Sequence, residues 1–146
     1  MATIAHPTAG ELGQRQPASS ARAALERAVD AAPSRIPPPR GWLRRLFAHG
    51  RSARAIIERY RLWPAIEYAY ERITRELGPA RIVMSAEDDC GDSVVVMECH
   101  VAWRDDEAHL DLEEELRREL IRRLGSRRYF RLSVLVHRGA PPGSCP

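Results

Sequence analysis

Residues 93–103, SVVVMECHVAW, alternate as an extended chain does, with Val95, Met97, Cys99, Val101 and Trp103 on one side and Glu98 and His100 on the other. An apolar row of that length has to be covered by something. The cover comes next in the sequence: at about 100° per residue, Leu112, Leu116, Leu120 and Leu124 form one stripe of a helix. Asp105 or Asp106 can cap this helix, acids crowd its first turns, arginines fill its last turns, and Gly125 is its expected stop. A second β-rich run, YFRLSVLVHR at 129–138, sets Phe130, Leu132, Val134 and Val136 against Arg131, Ser133, Leu135 and His137. Strand, helix and strand in this order require a right-handed crossover, which makes the last strand a parallel neighbour of the one before the helix. His100 and His137 should then lie close together.

Upstream, RIVMSAE and SVVVMECHVAW flank the turn-type cluster DDCGD, the pattern of an antiparallel hairpin. Before the hairpin, RSARAIIERYRLW and PAIEYAYERITRELG are two helical pieces divided by Pro64, which is tolerated in a first turn but not in a helix interior. Ile66, Tyr70, Ile73 and Leu77 recur at helical spacing, and Gly78 with Pro79 supplies a stop. The fold expected is a small α+β domain of order α-β-β-α-β in two layers, a three-stranded mixed sheet with helices on one face, behind a flexible N-terminal arm. We assign 1–40 to a mostly disordered Ala/Pro-rich arm with a short helix at 20–31, 41–138 to the domain, and 139–146 to a flexible tail. The arm helix shows little more than Leu25 and Val29 as an apolar face, so it holds only if something covers it.

Composition excludes several classes. The chain has 146 residues, 44% hydrophobic and 29% charged, with a net charge of +3, an ordinary balance for a soluble domain. No apolar run approaches the roughly 18–20 residues that cross a bilayer, and MATIAHPTAGELGQRQ lacks the basic-then-apolar order of a secretory signal. A cytoplasmic protein is expected. Cys90, Cys99 and Cys145 show no C-x-x-C spacing, so neither a disulfide framework nor a thiolate zinc knuckle is indicated, which fits a reducing compartment. All 23 basic residues are arginine, a bias that fits GC-rich codon usage better than selection for guanidinium chemistry.

Catalysis finds no support in the motifs. Cys90 sits among Glu87, Asp88, Asp89 and Asp92, which disfavour a thiolate; no G-x-S-x-G elbow and no glycine-rich phosphate loop occurs. No enzyme and no cofactor are expected. With helices on one face, Val94, Val96, Glu98, His100, Leu135 and His137 should line the other, a half-apolar surface of the kind that a second copy, the N-terminal segment or another protein usually covers. The first expectation is therefore a non-catalytic interaction or accessory protein that binds a protein partner or itself through the open sheet face.

Two alternatives use other residues. Arg44, Arg45, Arg51 and Arg54, interleaved with Trp42 and Phe47, form a block at 40–61 suited to single-stranded RNA or DNA, where guanidinium groups meet phosphate and rings stack on bases. Against it, 87–115 carries twelve acids and one arginine, so the chain is dipolar rather than basic. His100, His137 and Glu98 offer imidazole and carboxylate ligands for a metal-responsive site, although only two imidazoles are available and a metal is not the favoured partner.

The stretch VVVMECHVAWRDDEAHLDLEEELRRELIRRL, with LSVLVHRGAPP after it, resembles the cytoplasmic domain of cation diffusion facilitators. The matched positions are His100 on the second strand, Ala108 and His109 opening the helix, and Val136 and His137 ending the last strand. The resemblance implies the same α-β-β-α-β order and metal-binding histidines. The sequence departs from that family where Arg138 and Gly139 follow the last histidine in place of an acid, and where no transmembrane helices precede the match.

Overall fold

The computed structural model describes residues 18–37, 41, 51–102, 106–140 and 143, with the backbone alone at 18, 19 and 106–108. Among the described residues, four helices and three strands follow in the order α1 (Ala18–Asp30), α2 (Ala53–Tyr60), α3 (Trp63–Leu77), β1 (Ala80–Asp89), β2 (Asp92–Val101), α4 (Asp106–Tyr129) and β3 (Leu132–Arg138). The sheet order is β1-β2-β3, antiparallel between β1 and β2 and parallel between β2 and β3. This is the expected mixed three-stranded sheet with its crossover helix.

The hairpin closes through Cys90 and Gly91, with φ of 51° and 89°, between the paired residues Asp89 and Asp92. Two successive positive φ values match the twist of the flanking strands, and glycine takes the second without a Cβ penalty. Pairing in register sets Met84 beside Met97 and Ala86 beside Val95 on one face, with Leu132 and Val136 continuing it across β3. Every strand residue of the hydrophobic core comes from this face, and all four helices contribute to the same core. Leu112, Leu116, Leu120 and Leu124 are all buried, so the stripe of α4 does lie on the sheet.

Pro64 acts as anticipated. Helix α2, capped by the Ser52 hydroxyl accepting from the Ala55 N–H at 3.1 Å, ends where Arg61 turns left-handed at φ 52°, and Pro64 then falls in the first turn of α3. Between the two helices Leu62 is fully buried.

Three expectations change. The helix expected at 20–31 is Ala18–Asp30, and it is part of the core: Leu25 is fully buried and Val29 nearly so. Arg22 ties it to α3 by lying over the Trp63 ring at 3.8 Å and pairing with Glu67, while Glu26 of α1 itself holds the same guanidinium. The chain then runs along β1, where the Arg35 N–H donates to Ala86 O at 2.7 Å and the Ala86 N–H to Pro33 O at 3.0 Å. The folded unit therefore begins upstream of the boundary set at 41, because the cover that a two-residue apolar face needs is supplied by distant helices. The rest of the arm, 1–17 and 38–40, lies outside the described residues, as does Trp103.

Secondly, Gly125, at φ 71° and ψ 160°, interrupts α4 rather than ending it, and a short helical piece continues to Tyr129. Thirdly, β3 starts at Leu132, because a turn closed by the Arg131 N–H on Arg128 O takes up Phe130 and leaves that ring 70% exposed. On α4, Glu114 pairs with Arg117 and Arg118, and Glu119 with Arg122 and Arg123, while Glu113 meets His109 at 3.1 Å. Hydrogen bonds from Arg122 and Arg123 hold the Glu119 carboxyl down at about 2.

The burial of α1 predicts that Leu25→Ala destabilises the whole domain by about 2–5 kcal/mol, the range for emptying a fully buried leucine site. Urea unfolding followed by circular dichroism checks this. A midpoint equal to that of the unsubstituted chain would mean that α1 is not part of the cooperative unit.

Candidate interaction face

On a pleated strand the residues between the core-facing ones point the other way. The register therefore groups Val94, Val96, Glu98 and His100 of β2 with Leu135 and His137 of β3, so all six residues expected on the second face share it. None of the six belongs to the hydrophobic core. Their exposure grades across the sheet: Leu135 and His137 are exposed, Val96 and Glu98 half-buried, and Val94 and His100 each only 7% exposed. The face is thus less open at its centre than the alternation alone implied.

His100 and His137 are direct register partners, and their rings stack with centroids 5.0 Å apart and planes 25° from parallel. Parallel strands about 4.8 Å apart put matched side chains at this stacking distance without further adjustment. The Nε2 of His100 lies 3.4 Å from Oε2 of Glu98, two residues back on the same strand. On the other side of β2, Arg81, Val83, Ser85 and Glu87 pair with His100, Glu98, Val96 and Val94 and complete the face. Sequence reasoning passed over these four, although RIVMSAE alternates as plainly as β2 does. At this end the Ser85 hydroxyl donates to Glu87 Oε1 at 2.8 Å, and Arg35 Nη1 donates to the same oxygen at 3.1 Å. That chain of contacts joins the face to the segment running along β1.

The arrangement offers apolar contact, two imidazoles and paired charges. Among the described residues, no three or more His, Cys, Asp or Glu side chains are grouped so that they could hold a metal ion. His109, matched by the resemblance to a metal-binding position, sits on α4 beside Glu113. Of the residues proposed for nucleic acid, Trp42, Arg44, Arg45 and Phe47 lie outside the described residues. Arg51 is half-buried, and Arg54 is engaged by Asp30 at 2.7 Å and by Glu58 at 3.9 Å.

Fold and face define a small two-layer α+β domain that presents one side of its sheet away from its own core. No family model, no curated protein and no solved structure matches the chain. No helix among the described residues is long and apolar enough to cross a membrane.

Both described cysteines are free, Cys90 exposed in the turn and Cys99 buried on the core side. Burial pushes the Cys99 thiol up to about 12, leaving it protonated and unreactive at neutral pH. In a Cys145→Ser background, a thiol reagent at pH 8 should modify one sulfur in the native protein, Cys90, and a second only after denaturation. Rapid native modification of Cys99, mapped by mass spectrometry, would contradict this packing.

Proposed function

We propose that this chain is a non-catalytic interaction subunit that docks a protein, either a second copy or another chain, on the sheet face bearing Val96, Glu98, Leu135 and His137. The observation that carries the proposal is the division of the sheet. All the strand residues of the core lie on one face, while the opposite face combines valine and leucine with a histidine stack and contributes no residue to that core. Apolar side chains at the centre of such a face supply the association energy, at about 25 cal/mol per Å² removed from water, and the flanking Glu98 and histidines fix orientation. We further propose a cytoplasmic location, which the two free cysteines support.

The test is Val96→Arg, at the middle of the central strand on the docking face. Its side chain points away from the core, so the fold should persist while a charge enters the contact. The substituted chain is expected to lose the partner retained by the unsubstituted bait in a pull-down, and to lose any self-association that depends on this face, with an unchanged circular dichroism spectrum. Equal recovery of every bound species by both baits would refute the reading.

A further inference from the structure

Residues 117–131 carry seven arginines and a single acid, Glu119. The fold engages most of these arginines with acids. Glu114 takes Arg117 and Arg118, Glu119 takes Arg122 and Arg123, and Asp92 takes Arg131 at 3.0 Å. Arg127 and Arg128 are left. The Arg128 guanidinium donates to the carbonyls of Leu124 and Arg123 at 3.0 and 3.4 Å, which satisfies the end of a helical turn but brings no negative charge to it. Arg127 is exposed and meets no acid among the described residues.

The end of α2 comes to the same corner. The Tyr60 ring has the guanidinium of Arg131 at 4.6 Å and that of Arg59 at 5.4 Å, so Arg59, and Arg61 on the other side of Tyr60 in the chain, stand beside the 127–131 turn. Both are exposed, and neither forms an ion pair among the described residues. Four guanidiniums, those of Arg59, Arg61, Arg127 and Arg128, are thus gathered where no described acid contacts them. The turn that joins them, closed by the Arg131 N–H on Arg128 O, carries Phe130 at 70% exposure. Large apolar side chains are rarely left so open beside uncompensated charge without a use for both.

We infer that this corner binds single-stranded nucleic acid, with phosphates on the four guanidiniums and a base stacked on the Phe130 ring. The charge calls for a polyanion, and the ring decides which one. An interfacial segment needs an apolar face, but Leu110 and Ile121, the exposed large apolar residues of α4, come before the interruption at Gly125, and the turn itself offers a bilayer one ring. An acidic peptide would use the guanidiniums and leave the ring idle. A base needs only one open ring, and it stacks through a π-face that all four bases share, so the site is indifferent to sequence. Arginine lying over an aromatic ring is also held in place, as Arg59 is on Tyr60, with less side-chain freedom left to lose when its N–H groups meet a phosphate.

Fluorescence anisotropy of labelled oligouridylate and oligothymidylate, titrated with the full chain, tests the inference. Both should bind, with log Kd rising against log salt at a slope of about 3, from roughly 0.7 for each of four phosphates. Arg127→Ala should lower that slope by about 0.7. Phe130→Leu keeps an apolar side chain and removes the ring, and should raise Kd ~10-fold, while Phe130→Trp should hold the affinity of the unsubstituted chain. Both positions are exposed, so the variants are expected to keep the circular dichroism spectrum of the unsubstituted chain. No binding of either oligonucleotide at low salt, or binding that Arg127→Ala and Phe130→Leu leave unchanged, would overturn the inference. So would tighter binding to phosphatidylserine vesicles or to polyglutamate, which would assign the corner to a membrane or to an acidic protein segment instead.

Discussion

The whole structure depends on burying one side of β2. Val95, Met97, Cys99 and Val101 are all but inaccessible, and they lie at the centre of a sheet whose other two strands both pair with this one. Dehydrating these side chains requires an apolar layer that no single helix of the chain can supply. Hence the helices, distant in sequence, converge on one face: α1 through Leu25, α2 through Ile56 and Ile57, α3 through Ile66 and Ile73, and α4 through its leucines. Interiors of this kind are close-packed, so a change under one helix is felt by the others.

Electrostatics acts on the outside of this arrangement and does not create it. Glu114 and Glu119 each accept from two arginines within one turn of α4, and such exposed pairs contribute only tenths of a kcal/mol. The more consequential contacts link separate elements. Arg72 of α3 reaches Glu115 of α4 at 2.8 Å, Arg54 of α2 reaches Asp30 of α1, and Arg131 reaches Asp92 at 3.0 Å while its guanidinium lies 4.6 Å from the centre of the Tyr60 ring. Each fixes the position of one helix or turn against another, and together they give the arginines a structural use within the fold.

What could be read from the sequence was set by how local its cause is. The alternation of β2, the leucine stripe of α4 and the position of Pro64 each follow from neighbouring residues, and the right-handed crossover then leaves only one place for β3. The register pair His100 and His137 was legible for the same reason. The place of α1 was not, because two apolar residues define a face too narrow to announce itself, and only the helices it meets show that Leu25 is interior. Phe130 misled because it continues an alternation that the turn after Arg128 cuts short. The near burial of Val94 and His100 was likewise out of reach, since alternation separates the two faces of a strand without saying how open either one is. Arg81, Val83, Ser85 and Glu87 were legible in the alternation of RIVMSAE and were missed by attending to β2 and β3 alone.

Exposure on the sheet face is concentrated at one side. Leu135 and His137 are the most exposed of the six residues on the face, and they sit on the strand that among the described residues pairs on one side only. A face graded from exposed Leu135 to nearly buried Val94 offers its accessible apolar surface at β3, so any contact with this face would draw on that strand before the centre of the sheet.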